Sequence, residues 1–417
     1  MPWLVAAILA LGILPSLTAP SQALVLAFPR LQSYLGPVNA LKLGAPVLLA
    51  WVWLRRAELP RAWLPYAGAL GVGTVATVIA GVPCGFPQPL VREWAVMLLG
   101  SLAALSFLVL PRRQAFFVLG AWAVAIFGGA LLDGLAPDAT AWLNQNVFDP
   151  GAASAYDQTT TGFPLLHGLF GNQSLAKFLA WTPWLLLAFA FRWELPRGLL
   201  WALVGLAVVS NGAILMTSQR GPFLGAAAGW CVLAAHQAIR AGNRRAALAA
   251  LGALVLSCGV MLAIVPWGLL RARALGTFSH DTNQYEHAAL WTRDFRIQTN
   301  RLSWDSIKTH PLGDACIPAE TFHQYGVFPA HAHSLFLHQF RERGWIWGAL
   351  HLGLWLWAFV AAWRTRSPYG SMLAAGIATI AVLGLFDHPW FVLNHAMVLS
   401  LFILLGISTP DTTRRTA

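Results

Sequence analysis

The sequence predicts an all-α polytopic membrane helix bundle of about twelve transmembrane helices, with a large extracytoplasmic helical loop before the last three. Three observations carry that prediction. The chain is 57% hydrophobic and only 10% charged, with a mean hydropathy of +0.60, whereas soluble domains are about one-quarter charged. Its apolar residues fall in runs near the roughly 20 residues a spanning helix needs. Its arginines are distributed unevenly between alternate loops.

The runs lie near 4–27, 40–54, 63–83, 92–110, 115–134, 174–191, 198–216, 222–239, 246–268, 345–363, 369–386 and 389–407. The first is read as one helix from Pro2 to Phe28, bent at Pro15 or Pro20. No Lys or Arg precedes Arg30, so the charged n-region of a cleaved signal peptide is missing. The second run is the shortest.

With the N-terminus cytoplasmic, one face receives 14 arginines, at 55, 56, 61, 112, 113, 192, 197, 240, 244, 245, 364, 366, 414 and 415. The short loops opposite hold five basic residues, Arg30, Lys42, Arg92, Lys177 and Arg220. The positive-inside rule then sets both termini in the cytoplasm and accounts for much of the net charge of +11 without a nucleic-acid partner. There is no G-x-x-x-x-G-K-[ST] pattern, which argues against ATP-driven transport by this chain.

The chain, residues 1–417, reads as a single integral membrane domain. Two extracytoplasmic segments are long enough to fold, 136–172 and 270–344. The second carries seven of the twelve histidines and eight basic residues. Cys84 and Cys316 fall on this same side, where an oxidising compartment would allow a disulfide. Cys231 and Cys258 sit inside apolar runs as core residues.

The densest chemistry is "PAHAHSLFLHQFRERGWIWG", Pro329 to Gly348. Ser334 is a good N-cap, and Gly344 would end the following helix or bend it into the next span. His333 then stands just before a helix N-terminus, where the dipole and nearby arginines favour neutral imidazole, the form a general base needs. His338 and Glu342 are four apart and positioned to pair. Bland solvated roles are the favoured reading for His331 and His338 taken singly. Metal ligation by His-x-His is the minor alternative, since no carboxylate or cysteine stands at a familiar ligand spacing.

Three further stretches hold candidates. In "TSQRGPFLG", Arg220 sits at the outer end of a span, equally readable as a snorkelling arginine or a functional one. In "NRLSWDSIKTHPLGD", Arg301, Trp304 and Lys308 share one helical face, also the pattern of a membrane-surface helix. "GLFGNQSLAKFLAW" enters a span through Asn172 and other small or amide residues. No Asp-x-Asp occurs anywhere. A diphosphate would therefore be held by arginines, whose planar guanidinium matches phosphate bidentately, rather than through a metal.

These four stretches, in this order, resemble the O-antigen ligase and polymerase superfamily of bacterial inner membranes. "GNQSLAKFL" is similar to its Gly-Asn-x-Asn-x-x-Ala segment, with Ser174 in place of the second Asn. "TSQRGPFLG" resembles its Ser-Arg-Gly motif, and "NRLSWDSIKTHPLG" its Arg-x-x-x-Trp and Pro-Leu-x-Gly. "HAHSLFLHQFRERG" resembles its His-Asn-x-x-Leu and Glu-x-Gly, with Ser334 replacing Asn. The resemblance implies metal-independent, inverting transfer of a glycan from undecaprenyl diphosphate, with no cofactor, to the lipid A–core oligosaccharide at the periplasmic face. It implies His333 as the essential histidine and Arg220 and Arg301 as the two essential arginines. His331, Lys308, Arg341 and Arg343 are second-rank candidates for phosphate contacts, and Asn172 is a further candidate. An O-antigen polymerase and an O-linked protein glycan ligase share this donor. A lipid or polysaccharide transporter is the alternative of a different class.

Overall fold

The structure, a computed structural model, describes residues 1–17, 38–149, 166–217, 219–264, 299–315, 334–386 and 392–409. Apart from one two-residue strand pair, the regular elements among these residues are helical. In chain order they are α1 (Pro2–Gly12), β1 (Ser16–Leu17), α2 (Ala40–Leu54), α3 (Trp63–Gly81), α4 (Gln88–Leu108) and α5 (Arg112–Ala123). A π-helical turn, Val124–Gly128, joins α5 to α6 (Gly129–Leu135). There follow α7 (Pro137–Asn146), β2 (Phe148–Asp149), α8 (Asn172–Arg192), α9 (Arg197–Met216), α10 (Arg220–Ile239) and α11 (Arg244–Ile264). The last are α12 (299–309), α13 (Leu335–Arg364), α14 (Pro368–Gly384) and α15 (Leu393–Ile407).

Every predicted apolar run carries a helix. Seven candidate spans, some joining adjacent elements, are long and apolar enough to cross a membrane: 63–84, 88–108, 112–135, 173–192, 197–214, 221–239 and 335–364. Four apolar helices are shorter: α1, α2, α14 and α15. One expectation is corrected. α1 ends at Gly12 and the chain is extended at Ser16–Leu17, where β1 pairs antiparallel with β2, so the described part of Pro2–Phe28 is not one helix; residues 18–28 lie outside the described residues. Pro15 has no N–H and a fixed φ, so it stops the helix rather than bending it.

Burial is deepest in α8, α14 and α15, around which the other helices pack. Small residues bring the backbones close. A Cβ on Gly100 of α4 would lie 2.7 Å from the Ala396 carbonyl carbon on α15, the small-residue packing typical of membrane helices. Polar side chains cross-link the interior. The Tyr66 hydroxyl is 2.8 Å from Ser101 Oγ, which is 3.3 Å from Ser400 Oγ.

The two ends of the bundle differ in charge. At one end Arg55 and Arg56 lie over Trp51 and Trp53, Arg113 over Trp3, and Arg192 over Tyr369. Arg112 there donates to the Trp193 carbonyl at 2.6 Å, and Arg240 is beside the α13–α14 turn. This basic end is the one predicted to be cytoplasmic. The other end collects the end of α1 and the starts of α4, α8, α10, α13 and α15. Asn394 Nδ2, for example, donates to the Ile13 carbonyl.

Candidate functional site

The site is built at the arginine-poor end from the starts of helices. At the start of α8, Gly171 has φ +73° and ψ 154°, backbone essentially confined to glycine. The preceding turn is held by Asp133, whose Oδ2 accepts from the amides of His167 (2.5 Å) and Gly168 (3.0 Å). Asn144 of α7 donates to the Gly168 carbonyl, and Leu166 N donates to the Met216 carbonyl at the end of α9. The turn leading into "GNQS" is thereby tied to the end of α9, which leads into "SQRG". Gly171→Ala is expected to cost about 1–3 kcal/mol, read as a lower thermal-unfolding midpoint in detergent.

The start of α10 is joined to the start of α13 through the end of α14. A Cβ on Gly221 would lie 3.5 Å from Phe386, and one on Gly384 3.0 Å from Leu335. Two neighbouring motifs therefore begin around one corner of the bundle.

α13 is two helices meeting at Gly344, where φ is +79° and ψ 178°. The predicted bend at this glycine is observed. The turn Pro311-Leu312-Gly313 packs into the kink: Trp345 N donates to the Pro311 carbonyl (2.9 Å), and Asp314 N to the Arg341 carbonyl (2.7 Å). Trp345 Nε1 donates to the Ile307 carbonyl at 3.0 Å. α12 thus rides on the first half of α13. Thr299, Ser303, Ser306 and Ile307 form its buried face, while Arg301, Trp304 and Lys308 face outward. Lys308 lies over the Trp304 ring and pairs with Asp305 at 3.3 Å.

The stretch 335–343 lies at the end of the segment read above as an extracytoplasmic loop, yet it is packed inside the bundle. Its charges meet Glu93, on the second turn of α4 and 1% exposed. His338 Nε2 lies 2.8 Å from Glu93 Oε2 and 3.2 Å from Glu342 Oε2. A carboxylate only accepts, so this nitrogen carries the proton. Glu93 Oε1 accepts from Gln339 Nε2 at 2.8 Å and from Arg343 Nη1 at 3.4 Å. Gln339 Oε1 in turn accepts from Arg343 Nη1 (3.0 Å) and Trp347 Nε1 (2.7 Å). Arg343 also donates to Thr77 Oγ1 and lies over the Trp94 ring. Arg341 is 3.3 Å from Glu342.

This geometry corrects one reading: His338 is fully buried in an ion network, not solvated. Arg343, 1% exposed, pairs with Glu93 and Glu342, and Arg341, 4% exposed, lies beside Glu342. The predicted His338–Glu342 pair is present. Ser334 holds the N-cap position in extended backbone but makes no side-chain capping bond.

Glu93, His338 and Glu342 each offer a ligand atom within 4.8 Å of the others. Yet Arg343 Nη1 is 3.4 Å from both carboxylates, and two guanidiniums face two carboxylates. Among the described side chains these guanidiniums already face the carboxylates, so a divalent cation would enter against a resident positive charge.

His331, His333 and Cys316 lie outside the described residues. For Arg220 and Asn172 only the backbone is described. Arg301 is exposed on the outer face of α12. Cys84 is disulfide-bonded, whereas Cys231 and Cys258 are free thiols, the first exposed and the second half-buried rather than in the core. Glu93 is not among the residues that the sequence motifs single out. It is the sole acidic residue of α4, and a lone carboxylate in an apolar run was the available signal.

By its helices this is a polytopic α-helical membrane protein. The chain matches no protein-family model and no curated protein.

Proposed function

We propose that this protein is a membrane glycosyltransferase, an O-antigen ligase. In this reading it spans the bacterial inner membrane twelve times with both termini cytoplasmic. It moves a glycan from undecaprenyl diphosphate to the lipid A–core oligosaccharide at the periplasmic face. The observation that carries the reading is the gathering of four separated motif segments at the arginine-poor end of the bundle, linked by the Leu166–Met216, Gly221–Phe386, Gly384–Leu335 and Gly313–Gly344 contacts. A disulfide-bonded Cys84 at that end fits an oxidising compartment. The positive-inside rule favours the opposite, arginine-rich end as cytoplasmic.

The chemistry is a single displacement. An acceptor hydroxyl oxygen bonds to the anomeric carbon as the bond to the diphosphate oxygen breaks, with inversion. His333 takes the hydroxyl proton. Arg220 and the outward-facing Arg301 neutralise the charge left on the diphosphate. A lipid diphosphate leaves readily, so the scheme needs neither a strong general acid nor a metal. A transporter would be expected to carry ionisable groups through the bundle midplane. The buried ionic cluster here lies within about two to three helical turns of one end.

His333→Ala is expected to slow transfer from lipid-linked glycan to rough lipopolysaccharide by about 10²–10⁴-fold. A wild-type rate would remove His333 from the mechanism. In a deletion strain, a lost lipopolysaccharide ladder with lipid-linked polymer retained supports the ligase. Core bearing one repeat would indicate a polymerase, and an intact ladder with missing glycoprotein a protein glycan ligase.

A further inference from the structure

We infer that Glu93 is a positioning residue for the start of α13: it anchors the nine-residue helix 335–343 and thereby sets where Ser334 is held. The anchor follows from the structure alone; its catalytic consequence rests on the proposed function.

The kink at Gly344 breaks the helix, so nothing in the backbone beyond it fixes the direction of 335–343. Two contacts do. One is the Pro311–Gly313 turn, which holds the C-terminal end of the short helix through main-chain bonds. The other is Glu93, which accepts from Gln339 and Arg343 and meets His338, three residues spread over six positions of the helix. One carboxylate on a different helix thus restrains the short helix along more than half its length. Glu93 is 1% exposed and lies against Arg343 and His338. A buried, fully engaged carboxylate of this kind gives a single geometry rather than a choice of several.

Orientation is worth much in catalysis: a displacement of about 1 Å can cost about 10²-fold. Glu93→Gln keeps the shape of the side chain but replaces one acceptor oxygen with a donor facing His338 or Arg343. Glu342 still faces Arg343 at 3.4 Å, so the charge of Arg343 keeps a partner in this variant.

The test uses the full-length protein in detergent with Cys231→Ala and Cys258→Ala, and a reporter Ser334→Cys, at a site 4% exposed. Labelling of that cysteine by a membrane-impermeant maleimide reports the helix start independently of any activity. With Glu93→Gln, labelling is expected to rise about tenfold or more. In the same substitution without the reporter, kcat for glycan transfer is expected to fall about 10–100-fold with the donor KM within about twofold. Glu93→Asp, which keeps the charge and shortens the reach, is expected to lie between the two and serves if Glu93→Gln does not fold. Unchanged labelling in both variants overturns the anchor, whatever happens to kcat. If the wild type transfers no glycan, the proposed function fails, while the labelling still decides the role of Glu93.

Discussion

Replacing Gly344 by alanine is expected to be among the most damaging single changes in this protein. The cost has two sources. The residue has φ +79° and ψ 178°, a region closed to L side chains at about 1–3 kcal/mol. A Cβ would also lie 2.5 Å from the Pro311 oxygen and the Leu312 carbonyl carbon, and 2.8 Å from Gly313 N. Those are backbone atoms in a turn whose own Gly313 has φ +104° and faces the Glu342 oxygen at 2.6 Å from its virtual Cβ. Neither side can yield without breaking the Trp345–Pro311 and Asp314–Arg341 main-chain bonds. Overpacking adds about 1–3 kcal/mol, so about 2–6 kcal/mol in all is expected, read as a fall in the thermal-unfolding midpoint of the purified protein. A midpoint within about 1 °C of the wild type would mean that the kink is not required.

The second large effect is expected from Arg343→Met. The guanidinium bonds Thr77, Gln339 and Glu93 and is paired with Glu342, all in a region closed to water. Its removal takes one of the two guanidiniums from beside the two carboxylates, leaving Arg341 at 3.3 Å from Glu342. Breaking a buried ion pair from one side costs about 3–5 kcal/mol, because the remaining charge stays desolvated. Adding Glu93→Gln removes one of those charges, so the double variant is expected to recover much of the loss. The measurement is a double-mutant cycle in unfolding free energy, with an expected coupling of at least about 1 kcal/mol. Additive effects would show that Glu93 and Arg343 do not depend on one another.

Both predictions concern places where the sequence showed the residues but not their consequences. Gly344 was legible as a helix break, because a glycine between a polar helix and an apolar run has few other uses. That the break is a seat for Pro311–Gly313 was not legible, since it depends on two backbones some thirty residues apart meeting. His338 and Glu342 were legible as a pair because i,i+4 spacing is local. Glu93 stands 245 residues from His338, and no local pattern links them.

The amino-acid sequence by itself determined the helical membrane class, the apolar runs and the uneven distribution of arginines. Those follow from composition and from periodicity along one stretch of chain, which the bilayer and the hydrogen-bonding needs of the backbone convert directly into helices. The burial of 335–343 and the Glu93-centred network were decided only in the tertiary structure. They arise where distant segments exclude water together. A charge placed in such a pocket must find its partner there, however far away in the chain that partner was made.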